Sequence, residues 1–222
     1  MGPDGKPAKP SEDVKLKEAQ FHVHLYWTPE TGATHFERGE MNRKPETDDE
    51  LKIEYDHYYT AMVNGLAILI AHFIKSGKDR TPLINAVISK IETYIKTEVK
   101  VGEQAGIIHN ESDIKKNPKA VYFGIVWEVK TGKVSLHRSA TLPMPTKPED
   151  ITKEADDHLQ TVIYNLGFLI MLLSKLQVPK QLLVKGVETA INKYLDQGET
   201  DGQFGKRQKI SLETKSDKKL VN

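Results

Sequence analysis

FHVHLYWTPETGATHFERG at residues 21–39 and VYFGIVWEVKTGKVSLHRS at residues 121–139 decide the fold of this chain. In both stretches apolar and polar side chains alternate, a Thr-Gly pair interrupts the alternation, and a second alternating run ends in arginine. Arg38 aligns with Arg138, and the offset is 100 residues throughout, without a gap. Alternation with a period of two is typical of half-buried strands, and glycine supplies the positive φ that a short turn requires. Each stretch therefore predicts a β-hairpin.

The length of the turn predicts which strand residues pair. A four-residue loop sets Leu25 opposite Phe36 in the first hairpin and Ile125 opposite Leu136 in the second. This register places apolar side chains on one face of both hairpins. We expect that face to be buried against another part of the protein.

Two helices are predicted after each hairpin. The first is apolar on nearly every side, from Met62 in one case and from Val162 in the other, and the second has one apolar stripe, with Tyr94 aligned to Tyr194. The two all-apolar runs are shorter than the roughly 20 residues that span a bilayer. They therefore predict core helices and no membrane association.

The sequence predicts an α+β fold that arose by internal tandem duplication of a unit made of a β-hairpin plus two helices. A lone hairpin is marginal in water, and a helix that is apolar all round cannot cover itself, so the two units must bury surface on each other. We expect a single domain with pseudo-twofold symmetry, in effect a pseudo-dimer. The predicted segments are a flexible N-terminal arm at 1–19, the first repeat at 20–98, a linker at 99–119, the second repeat at 120–197 and a flexible basic C-terminal tail at 198–222.

Composition and motifs limit the classes of function. The chain carries 32 basic and 31 acidic residues, so its near-neutral charge argues against nonspecific polyanion binding. It has no cysteine and no apolar signal segment, and we expect a cytoplasmic protein. Because the sequence lacks a nucleophile elbow, a phosphate-binding loop and a zinc-protease motif, it predicts a protein that is not an enzyme and has no cofactor.

Three residue types that occur in both units suit an anion site. Arginine could clamp an anion, tryptophan could stack on a ring, and a buried asparagine amide needs a partner. The structural alternatives are core tryptophans, asparagines that pair with each other, and internal salt bridges. In those bridges Arg38 would pair with Glu54 or Asp56, and Arg138 with Glu154 or its neighbour Asp156. The candidate ligand-binding residues are Arg38, Arg138, Trp27, Trp127, Asn64 and Asn165.

A histidine-rich face of the first hairpin is a candidate metal site. His22 and His24 share the outer face, the predicted register sets Glu37 opposite His24, and His35 lies one pair further along. Imidazole and carboxylate groups are ligands that zinc accepts. The alternative is a polar outer face that is rich in histidine, because the second unit keeps only His137.

Together these features predict a non-enzymatic binding protein with a ligand or partner site between the duplicated halves, and one version of this hypothesis is that it senses or sequesters a nucleotide-like anion. The expected partner is thus a small anionic ligand or another protein. The alternative is a nucleic-acid-binding or protein-interaction module that uses the hairpin aromatics and the basic C-terminal tail. Free hairpin edges also leave assembly into a homo-oligomer open.

Overall fold

The computed structural model describes residues 20–39, 44–105, 117, 119–139 and 144–200. Within these ranges the chain forms a mixed α+β fold, a four-stranded antiparallel sheet with four helices. The predicted N-terminal arm lies outside the described residues. So do most of the predicted linker and the C-terminal tail from residue 201 onward.

The elements follow one another in the order strand, strand, helix, helix, twice over. Their bounds are β1 Gln20–Trp27, β2 Thr34–Arg38, α1 Asp48–Lys75, α2 Arg80–Ala105, β3 Val121–Glu128, β4 Val134–Arg138, α3 Pro148–Lys175 and α4 Lys180–Thr200. The second helix of each group is longer than the sequence predicted. α2 continues to Ala105, inside the predicted linker, because the segment after residue 95 contains no proline that would stop a helix.

The predicted hairpin registers are confirmed. Leu25 pairs with Phe36, and Ile125 pairs with Leu136. Gly32 has a φ of 70°, and the glycine at the same place in the second turn has a φ of 72°, which is the left-handed conformation that glycine adopts without strain. The turn chemistry therefore fixes the strand register, as expected.

The two hairpins join into one sheet through their first strands. The strand order is β2-β1-β3-β4, and β1 runs antiparallel to β3 with His24 opposite Gly124. β2 and β4 consequently form the two edges. All four strands turn one face towards the helices, and that face carries the fully buried side chains Val23, Leu25 and Ile125.

Each hairpin is covered mainly by the first helix of the other group. α3 packs on β1 and β2, whereas α1 packs on β3 and β4, and α1 and α3 also pack on each other. The second helices follow the same exchange, since α2 packs on α3 and α4 packs on α1 more extensively than on their neighbours in sequence. Met62, Leu66, Ile70, Leu166 and Ile170 are fully buried where these layers meet. Neither half of the chain therefore completes a core alone.

One helix has the dimensions of a membrane span. Among the described residues, α1 is long and apolar enough by length and composition, a property that core helices of soluble proteins share. Within its most apolar 18-residue window, 61% of the residues are buried inside the protein. The absence of membrane association stays a prediction.

Two glycines in the central helices allow close packing. A Cβ atom on Gly65 would lie 2.7 Å from Cδ1 of Ile125, and one on Gly167 would lie 2.5 Å from Cδ1 of Tyr94. The sequence predicted close approach between two such helices. In the structure the neighbours are instead a strand residue and a ring on α2.

We expect Gly167→Ala to lower the free energy of unfolding by about 1–3 kcal/mol, although alanine favours a helix by about 1 kcal/mol over glycine. The reason is that the Tyr94 ring is itself packed and cannot move aside easily. Gly65→Ala is the matched comparison and should cost less, since the obstructing atom is the terminal methyl group of a flexible side chain. Urea unfolding of both variants tests this, and equal losses would contradict the explanation.

Candidate ligand-binding site

Arg38 and Arg138 each form an ion pair with a glutamate carboxylate. Arg38 donates from Nε and Nη2 to the two carboxylate oxygens of Glu54 at 2.7 and 2.9 Å. Arg138 donates in the same way to Glu154 at 2.6 and 3.0 Å. Tyr58 also donates to Glu54, and burial followed by the Glu54 charge raises the pKa of this phenol far above its usual range. These bidentate ion pairs are the internal salt bridges that the sequence left open as an alternative to an anion site. The partner is glutamate in both cases, and not aspartate.

The six candidate ligand-binding residues do not form one site. Arg38 and Arg138 lie on the two edge strands, three strand spacings or roughly 14 Å apart. Trp27 and Trp127 lie at opposite ends of the sheet, because β1 and β3 run antiparallel and each tryptophan comes late in its strand. Identity between two segments of sequence carries no information about the distance between them, so the sequence could not reveal this separation.

The tryptophans pack each hairpin against a helix of the other half. Trp27 is buried and stacks on Tyr164 of α3, with ring centroids 5.3 Å apart and an angle of 12° between the planes. Tyr94 of α2 meets the same Tyr164 ring edge-on at 5.2 Å. Trp127 is half-buried and meets His57 of α1 edge-on at 5.3 Å. Both tryptophans thus have the core role that was the alternative to ring stacking on a ligand.

Asn165 connects α3 to the sheet and does not pair with Asn64. Its Nδ2 donates to the carbonyl oxygens of Tyr26 at 3.1 Å and of Thr161 at 2.8 Å, which uses both amide hydrogens. Asn165 is fully buried, whereas Asn64 is half-buried. Asn165 Oδ1 has no hydrogen-bond partner within the described part of the chain. The predicted pairing of the two asparagines is therefore not observed.

The four candidate metal ligands share the outer face of the sheet, but their contacts do not gather them around one point. His24 Nδ1 lies 2.6 Å from the hydroxyl of Tyr122, and burial followed by the Glu37 charge raises the pKa of that hydroxyl. Tyr26 donates to Glu37 at 3.2 Å. In the ranges that the structure describes, no group of three His, Cys, Asp or Glu side chains is placed to hold a metal ion. The metal hypothesis for His22, His24, His35 and Glu37 gains no support from this geometry.

A groove of about 830 Å³ lies between α2 and α4, which run side by side in opposite directions. Its apolar part is formed by Ile88 and Ile95 of α2 and Val184 of α4. The volume falls in the range of about 300–1,000 Å³ that is typical of small-molecule sites. The groove brings together one helix from each half of the chain.

Charged side chains surround the apolar part of this groove. Lys96 comes from α2 and Lys180 and Lys185 come from α4, while Glu92 and Glu188 supply two negative charges. None of the three ammonium groups forms an ion pair or hydrogen bond with any residue that the structure describes. The groove therefore has a net positive rim beside an apolar floor.

The opposite end of the same helix pair is closed by an ion pair. Arg80 Nη2 lies 2.7 Å from Asp196 Oδ1 and donates to the side-chain and main-chain oxygens of Asn192 at 2.8 and 3.2 Å. The Arg80 side chain is only 11% exposed. Arg80 is the first residue of α2, and Lys96 lies 16 positions after it. Lys180 is the first residue of α4, and Asp196 lies 16 positions after it. One end of the helix pair thus has an arginine–aspartate ion pair, while the corresponding positions at the other end, Lys96 and Lys180, are both lysine.

Sequence reasoning missed these groove residues. The predicted site residues are identical at positions about 100 apart, whereas the groove depends on a position where the two halves of the chain differ, Lys96 against Asp196. That charge reversal was visible in the sequence. Its meaning was not, because only the packing of α2 on α4 shows which residues face each other.

Comparison of the chain with protein-family models, with curated proteins and with solved structures found no match. The function is therefore inferred from the geometry and charges of the described residues.

A buried histidine makes stability depend on pH. His158 of α3 is 8% exposed and stacks on Phe123 at 4.5 Å, and burial lowers its pKa below the usual 6.5. The pKa of His22 is lowered as well, by burial and then by the nearby His24 and His137. Protonation of either group thus favours the unfolded chain, which binds the proton more readily.

We expect the free energy of unfolding to be highest above pH 6.5 and to fall as the pH drops from about 7 towards 5.5, where the unfolded state takes up more protons than the folded state. His158→Gln should make this decline shallower. His72→Gln, at an exposed position of α1, is the matched control. Urea midpoints at several pH values provide the measurement, and an unchanged slope in His158→Gln would refute the assignment.

Proposed function

We propose that this chain is a non-enzymatic binding protein, built by tandem duplication of a hairpin-helix-helix unit, that takes an anion with an apolar body into the groove between α2 and α4. One observation carries the proposal: an apolar floor lies beside three lysines whose ammonium groups form no ion pair with any carboxylate in the described part of the chain. Because the groove uses one helix from each unit, it is a site between the halves.

The lengths of the elements support the duplication. β1 and β3 each have 8 residues, β2 and β4 each have 5, and α1 and α3 each have 28. The two hairpins end at Arg38 and Arg138, and the two first helices end at Lys75 and Lys175, again 100 positions apart.

The chemistry of the groove favours an amphipathic ligand with a negatively charged head group. Burying apolar surface on the floor contributes about 0.8 kcal/mol for each methylene group. Three lysines against two glutamates leave one net positive charge in the lining. An anionic head group near Lys96 and Lys180 would add an opposite charge beside two ammonium groups that line the same groove.

A nucleotide fits this groove less well than an alkyl anion. The nine residues that line it include isoleucine, valine, lysine, glutamate and glutamine, and none of them has an aromatic ring. A base would find no partner for stacking there. We therefore narrow the nucleotide-like anion of the sequence hypothesis to an alkyl carboxylate or an alkyl phosphate.

We expect calorimetry to detect binding of octanoate, decanoate and dodecanoate, measured below their micelle concentrations. Two added methylene groups should strengthen binding by about 3- to 15-fold, the smaller figure applying where the groove leaves the chain partly exposed. Decanol, with the same apolar body and no charge, should bind more weakly than decanoate. Adenosine monophosphate serves as the nucleotide probe.

The double variant Lys96→Gln/Lys180→Gln should lose at least about tenfold in affinity for decanoate, because it removes the two cations of the head-group end. Lys193→Gln is the matched control, since it changes an exposed lysine of α4 that does not line the groove. Absence of binding by all three carboxylates, or equal affinity in both variants, would refute the proposed function. Tight binding of adenosine monophosphate instead would return the nucleotide hypothesis.

A further inference from the structure

We propose that the bound anion acts as a latch between the two halves of the protein, because its head group supplies to Lys96 and Lys180 the negative charge that Asp196 supplies to Arg80. The inference rests on the proposed function and adds a consequence to it. The end of the α2–α4 pair with Arg80 and Asp196 is here the closed end, and the end with Lys96 and Lys180 is the open end. Ligand binding would give the open end the bridging anion that the closed end already has.

The closed end shows what the open end lacks. There the first residue of α2, Arg80, is held at 2.7 Å by a carboxylate late in α4. At the open end the first residue of α4, Lys180, shares the groove with Lys96, which stands at the corresponding place late in α2. Both ends have a cation at the start of one helix, but only the closed end has a carboxylate at the corresponding position of the other helix, where the open end has Lys96. A ligand carboxylate between the two lysines restores the missing charge.

The lysines select for charge and not for the shape of the head group. An ammonium group is a compact charge with three rotatable donors, unlike the planar fork of an arginine that matches carboxylate geometry. Carboxylate and phosphate head groups should therefore both operate the latch. The apolar body, against Ile88, Ile95 and Val184, supplies the remaining selectivity.

Closure of the open end of the α2–α4 pair would affect both halves of the chain. α2 rests mainly on α3 and α4 rests mainly on α1, so the two helices that line the groove are each supported by the central helix of the other half. A ligand that contacts both the middle turns of α2 and the first turns of α4 would tie one half to the other. A ligand that binds only the latched state stabilises the whole fold, and this stabilisation grows with the logarithm of ligand concentration above Kd. A protein that senses the ligand could use this dependence.

Hydrogen exchange measured by mass spectrometry tests the latch in the full-length chain. In the presence of saturating decanoate, we expect exchange to slow about tenfold in peptides that cover residues 90–97 and 180–187. Peptides that cover residues 80–84 and 192–197, at the closed end, should change little. The comparison within one molecule separates local closure from general stabilisation.

The variant Lys96→Asp is a ligand-free mimic of the latch. It places a carboxylate opposite Lys180, as Asp196 stands opposite Arg80, so exchange at the open end should slow without decanoate, and affinity for decanoate should fall at least about tenfold. Asp196→Lys is the reverse variant and should speed exchange at the closed end. Thermal unfolding of both variants, together with the milder Lys96→Gln, establishes that they fold.

The outcomes separate the two proposals. Decanoate binding with unchanged exchange at 90–97 and 180–187 overturns the latch and leaves the binding function in place. Wild-type affinity for decanoate in Lys96→Asp, or rapid exchange at the open end of that folded variant, also overturns the latch. Absence of decanoate binding to the wild-type protein overturns the binding function, and the latch with it.

Discussion

The apolar face of the four-stranded sheet has to be buried, and each hairpin is covered mainly by a helix from the other half of the chain. Each hairpin turns side chains such as Val23 and Ile125 away from water, and a fully buried aliphatic side chain contributes about 1.5–3 kcal/mol. α3 provides that burial for the first hairpin and α1 provides it for the second. The exchange makes the two halves interdependent, and it also determines where every other element lies. Once α1 and α3 cross over the sheet, α2 and α4 are brought side by side.

The residues that are the same in both halves serve this shared architecture. Arg38 and Arg138 tie the end of each hairpin to the first helix of its own half through Glu54 and Glu154. Trp27 stacks on a helix of the opposite half. These roles recur because both hairpins meet the same packing problem. Identical residues at positions 100 apart, such as these arginines, thus reflect structural requirements that the two halves have in common.

The residues that differ between the halves create the asymmetry on which a function can rest. Arg80 and Asp196 close one end of the α2–α4 pair, and Lys96 and Lys180 leave the other end open above an apolar floor. A symmetric protein would have two closed ends or two open ones. The difference depends on the sign of one side chain, so a small change in sequence produces a groove with a defined polarity.

The sequence by itself determined the local structure and the registers. Alternation with a period of two, Thr-Gly turns and apolar helical stripes specified two hairpins and four helices, including the pairs Leu25 with Phe36 and Ile125 with Leu136, because these features depend on neighbouring residues. The sequence also predicted Glu54 and Glu154 among the possible ion-pair partners of Arg38 and Arg138. The tertiary structure alone decided that the six repeated candidate residues do not converge, that the histidine face does not gather a ligand set, and that a groove lies between α2 and α4. Those outcomes depend on distances across the exchanged helices, and no pattern along one segment encodes which helix will cover which hairpin.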